Sequence, residues 1–64
     1  MLKEMCLDRF HMMVADAEKE NNPVKRAIMI PRIKGFLEGI FWSNVVDSDE
    51  YMKLNEKINS LYYK

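Results

Sequence analysis

Few residues in this chain could carry chemistry. Cys6 could serve as a nucleophile or soft metal ligand, and His11 as a general base or imidazole ligand; the sequence holds one of each. Glu4, Asp8 and His11 recur at helical spacing and share one face, as a surface metal site or an acid/base pair would require. Two carboxylates and one imidazole on a single exposed helix make a weak site without ligands from a second element. A structural zinc site needs about four Cys and His ligands. Cys6 falls on a different face, in phase with Phe10, where a thiol is a small, inert core residue. No Ser/His/Asp grouping can be assembled around a lone histidine, and no phosphate-cradling glycine loop or CxxC pair is present. The expectation is a protein with no catalytic residues, no metal and no cofactor.

Lys25, Arg26, Arg32 and Lys34 gather around Pro31 and could contact phosphate or an acidic patch on a protein. They are the basis of an alternative reading as a nucleic-acid-binding regulator. The overall balance argues against it. Lys+Arg and Asp+Glu are equal at ten each, whereas nucleic-acid binders usually carry a basic excess or stripe. No apolar run reaches membrane-span length, so no membrane partner is expected, and the composition reads as cytoplasmic with a reduced cysteine.

The elements that position these residues follow from periodicity and punctuation. At about 100° per residue, Leu2, Cys6, Phe10, Met13 and Ala17 line one stripe of a helix over residues 2–20, with Met1, Met5 and Met12 on a flanking stripe. Asn21 can end it in the left-handed conformation. Asn22-Pro23 is a restart signal, an N-cap followed by proline at the first helical position. A second helix therefore spans residues 23–43, with Pro31 inside it. An interior proline removes a backbone hydrogen bond and costs about 3 kcal/mol. The helix is either kinked near residues 27–31 or broken there; Ile30 is a poor N-cap, which favours the kink. Beyond Pro31, Ile33, Phe36, Leu37, Ile40 and Phe41 form one apolar face, in phase with Ile30. Asn44 can close the helix. Val46-Asp47-Ser48-Asp49-Glu50-Tyr51 then places Asp47 at an N-cap and Glu50 three residues on, with Val46 and Tyr51 at staple positions. The third helix spans residues 48–62, with Tyr51, Leu54, Ile58, Leu61 and Tyr62 facing the core. These features predict one all-α domain over residues 1–64: a small three-helix bundle whose second and third helices form a capped hairpin.

The stretch Lys34-Gly35-Phe36-Leu37-Glu38-Gly39-Ile40-Phe41-Trp42-Ser43-Asn44-Val45-Val46-Asp47-Ser48-Asp49-Glu50-Tyr51 resembles a helical hairpin. Similar hairpins occur in small proteins of Gram-positive phages and mobile elements, and in short C-terminal domains appended to bacterial proteins. The resemblance covers residues 34–51 only and defines a turn, so it transfers no functional residues. It implies an accessory role, inhibiting or redirecting a host protein, including a defence nuclease.

The remaining signal is a surplus. Gly35, Gly39 and Trp42 lie well away from the Ile33/Phe36/Leu37/Ile40 face, with Ile28 nearby if the helix is continuous. An interior glycine costs about 1 kcal/mol relative to alanine, so two of them one turn apart imply close approach of another backbone or ring. Trp is enriched at binding hot spots. Met5 and Met12 on the first helix, with Met52 and Tyr63 on the third, are also apolar and off the core stripes. A chain of 64 residues buries a modest share of its surface and lacks an internal disulfide, so association is its simplest source of added stability. The expected partner is a protein, either a second copy in a homodimer or a host protein, bound through Gly35, Gly39, Trp42, Met5 and Met12. All of this holds only if the first helix does not already fill the groove beside Trp42.

Overall fold

A computed structural model of the chain describes residues 2–63. Three α-helices follow one another: α1 (Leu2–Lys19), α2 (Pro23–Trp42) and α3 (Ser48–Ser60), with a closing 3₁₀ turn at Leu61–Tyr63. The all-α three-helix bundle expected from the sequence is present. Met1, assigned above to the flanking stripe of the first helix, lies outside the described residues.

The α1–α2 corner differs from expectation in its stop. Asn21 does not adopt the left-handed conformation; Asn44 is the only non-glycine with positive φ among the described residues. Instead, the Arg26 guanidinium donates to the Glu20 carbonyl oxygen at 2.6 Å, so a side chain one turn into α2 satisfies the end of α1. The restart is as expected. Asn22 Oδ1 accepts from the Val24 and Lys25 amides at 2.9 and 3.3 Å, with Pro23 at the first helical position.

α2 runs through Pro31 without a break. Ile30, Ile33, Leu37 and Ile40 keep one phase on both sides of the proline, and all four are buried. That shared burial compensates for the hydrogen bond Pro31 cannot make. The helix ends in a Schellman motif. The Val45 amide donates to the Ile40 carbonyl at 2.9 Å, the Asn44 amide to the Phe41 carbonyl at 3.0 Å, and Asn44 takes φ 62°.

The α3 capping box forms in full. The Glu50 amide donates to Asp47 Oδ1 at 2.8 Å, and the Asp47 amide to Glu50 Oε1 at 3.1 Å. Val46 is buried behind it and Tyr51 half-buried, as a staple requires. Lys3 Nζ sits 2.6 Å from Glu50 Oε2 and joins the first turns of α1 and α3. Hydrogen bonding from Lys3, then from the Asp47 backbone, holds the Glu50 carboxyl below its ordinary pKa. A depressed carboxyl contributes stability above its unfolded pKa and loses it as pH falls through the folded value. Asp47→Ala is expected to cost about 1 kcal/mol in urea unfolding at neutral pH. Glu50→Gln should lower stability at neutral pH and have no such cost at a pH below the Glu50 transition, where the carboxyl is already neutral; an equal cost at both pH values would contradict the role given to the Lys3 pair.

The core comprises Phe10, Val14 and Ala17 from α1, Ile30, Ile33, Leu37 and Ile40 from α2, Val46 from the turn, and Leu54, Ile58 and Leu61. Two sequence assignments are corrected here. Leu2 is exposed and Val14 buried, so the core face of α1 is rotated towards Leu7 and Val14. Tyr62 is also exposed, because the 3₁₀ turn changes the angular step after Ser60.

α1 and α3 each pack chiefly against α2. At 1.5 Å per residue, the 20 residues of α2 extend about 30 Å, nearly the whole 33 Å length of the molecule. α2 is therefore central, and its face turned away from the core forms one flank of the protein.

Candidate partner-binding face

That flank is made by Val24, Ile28, Pro31, Gly35, Gly39 and Trp42, at successive spacings of four, three, four, four and three residues. Such spacing keeps all six within a narrow stripe on the side opposite Ile33 and Leu37. All are exposed; Ile28 keeps 54% of its surface, Val24 68% and Trp42 76%. No charged residue interrupts the stripe. A helix apolar on both sides is ordinarily buried on both sides. Here only one is.

The condition attached to Gly35 and Gly39 is met. A Cβ built on either would have no heavy atom within 4 Å beyond its own helix. α1 does not occupy the groove, and nothing in the fold requires glycine at either place. Trp42 is likewise no part of the core. It is 76% exposed, and its ring lies edge to face with Phe41, centroids 5.5 Å apart.

Each long edge of the stripe carries charge. On the α3 side, Glu38 accepts a hydrogen bond from the Tyr51 hydroxyl, and Lys34 donates to the Asn55 side-chain oxygen. The Lys34 ammonium also lies 5.8 Å from the centre of the Tyr51 ring, which in turn packs on Phe41 at 4.6 Å. The Glu38 hydrogen bond, then burial, raises the Tyr51 pKa, so the phenol stays protonated at neutral pH. Trp42 thus touches a ring, Phe41, that itself packs on Tyr51. On the α1 side, Lys25 and Arg32 are exposed.

The four basic residues around Pro31 do not converge. Arg26 caps α1 and Lys34 is tied to α3, leaving Lys25 and Arg32 on the opposite edge of the stripe. Met5 and Met12 are exposed, on the side of α1 turned away from Phe10 and Ala17. Val24 and Pro31 join the stripe although the sequence reading left them out. Their phase with Trp42 was legible, but it had meaning only once α2 was continuous.

The helix-1 chemistry stays dispersed. Glu4, Asp8 and His11 are exposed, and the His11 ring meets the edge of Phe10 at 5.6 Å. Cys6 is half-buried against the core. Among the described residues, no group of three or more His, Cys, Asp or Glu is placed to hold a metal ion, and no helix is long and apolar enough to cross a membrane. Comparison with protein-family models, curated proteins and solved structures found no match for the chain.

Proposed function

We propose that this chain is a small protein-binding accessory or inhibitor protein that acts through the outward face of α2 and performs no catalysis. One observation carries the reading: an uninterrupted exposed apolar stripe from Val24 to Trp42 on the central helix, with two glycines that the fold does not need. Contiguous exposed apolar surface on a small protein marks an interaction site. An exposed tryptophan beside small residues has the form of an interface anchor. The hairpin resemblance at residues 34–51 directs the proposal to phage or mobile-element proteins working in the cytoplasm on a host or defence protein.

Affinity capture from a Gram-positive host lysate, with mass spectrometry, tests this. The wild-type chain should retain a specific protein. Trp42→Ala should retain at least about thirtyfold less, the loss of a hot spot worth about 2 kcal/mol, while keeping its helical circular dichroism. Glu56→Ala, exposed on α3, should retain it as wild type does. Equal capture by wild type and Trp42→Ala would refute the assignment of the face.

A further inference from the structure

The geometry points to a second copy of this chain as an occupant of the α2 face, paired antiparallel about a two-fold axis beside Gly35. This rests on the reading of that face as a protein-binding surface and names what binds there.

The first argument is shape. A two-fold axis perpendicular to α2 at Gly35 sets Trp42 against the partner's Ile28, Gly39 against the partner's Pro31, and Gly35 against its own copy. The largest side chain of the stripe thus meets a branched aliphatic near the far end, and the smallest residues meet at the middle. Both glycines have open space above them, so the two helices can approach closely. The stripe is its own complement in this orientation, as a two-fold interface demands.

The second argument is charge. An antiparallel two-fold brings the α3-side edge of one copy against the same edge of the other. Glu38 then lies within about 3 Å, measured along the helix, of the partner's Lys34, so two pairs of opposite charges face each other while Glu38 keeps Tyr51 and Lys34 keeps Asn55 as partners within each chain. The two Arg32 side chains share the other edge, about 9 Å apart along the axis and free to extend into solvent. Parallel pairing does the opposite. It places Arg32 beside the partner's Lys34 and sets the two Trp42 rings against each other at one end.

Area sets the strength of the pairing. About the axis at Gly35 the two stripes overlap from Ile28 to Trp42, about 21 Å, and half of a cylinder about 11 Å across over that length presents on the order of 350 Å² per chain. Two copies together bury about 700 Å², below the roughly 1,000 Å² of a stable specific interface. The dimer is therefore weak and concentration-dependent, and the monomer is a populated species.

Sedimentation equilibrium across roughly 1 μM to 1 mM, the range for so small an interface, tests the pairing. The mass should rise from 7.6 kDa towards twice that value. Gly35→Leu should stay monomeric across the range, its dimerisation weakened at least tenfold, with thermal stability at or above wild type because the site is open and leucine favours helix. In a Cys6→Ser background, chains carrying Ile28→Cys and chains carrying Trp42→Cys should cross-link to each other on mild oxidation. Trp42→Cys chains alone should not. A wild-type chain monomeric at every concentration, or Trp42→Cys self-cross-linking, overturns the proposal. If the wild type is monomeric yet captures a host protein through Trp42, the binding face stands and only self-pairing fails. If it neither dimerises nor captures, both readings fall.

Discussion

Phe10→Ala should remove about 3–5 kcal/mol, a large share of the folding stability of the chain. Phe10 has no exposed surface, and the other fully enclosed α1 residue, Ala17, is small. Val14 adds one branched aliphatic. Phe10 is therefore the principal anchor of α1 on α2 and α3. Truncating a buried phenylalanine costs about 3–5 kcal/mol, because the transfer free energy is lost and a cavity remains. At 0.05–0.15 kcal/mol per residue, the whole domain has roughly 3–10 kcal/mol to lose. With one cysteine, no internal disulfide supplements that margin. Circular dichroism with urea titration measures the loss directly. Met12→Ala, at an exposed position on the same helix, should shift stability by no more than about 0.5 kcal/mol. A cost below about 1.5 kcal/mol for Phe10→Ala would show that α1 is not held by this contact.

The second large effect runs the other way. Replacing Gly35 and Gly39 together by alanine should stabilise the monomer by about 2 kcal/mol, since each helical glycine costs about 1 kcal/mol. For a domain of this size, 1 kcal/mol moves the melting temperature by about 4–8 °C, so the pair should raise it by roughly 8–16 °C. Neither added Cβ meets a neighbour, so no packing penalty opposes the gain. The glycines thus carry a stability cost with no structural return inside the monomer. A binding surface gives that cost a purpose. A melt of the dilute double variant at or below wild type would mean that the glycines serve the fold in some way the open space does not reveal.

Features written in local chemistry were legible in the sequence. The Asp47/Glu50 capping box, the left-handed Asn44, the Asn22-Pro23 restart and the Leu54/Ile58/Leu61 stripe each depend on residues within one or two turns. Features settled by distant contacts were not. The stop of α1 falls to Arg26, which reaches back from the next helix, where sequence proximity pointed to Asn21. The phase of α1 was ambiguous because Met12, Met13 and Val14 are consecutive apolar residues, and only contact with α2 and α3 selects Val14 for the core. Continuity through Pro31 depended on burial of Ile30 and Ile33 on a common face. The candidate site follows the same division. Gly35, Gly39 and Trp42 stood out because they sit within one unbroken helical run. Val24 and Pro31 could be added only across the proline. Met5 and Met12 stood out by their phase on α1, and both are exposed.

The central claim is that the outward face of α2 is finished for binding and is not used by the fold. Trp42 is the sole tryptophan, so its fluorescence reports on that face alone. The dilute chain should emit as a water-exposed indole, fully open to a soluble quencher, consistent with 76% exposure. Its emission should shift to the blue and become protected as the chain is concentrated or as a captured partner is added. An indole already shielded in the dilute monomer, or one equally exposed at high concentration and with every captured protein present, would contradict the account.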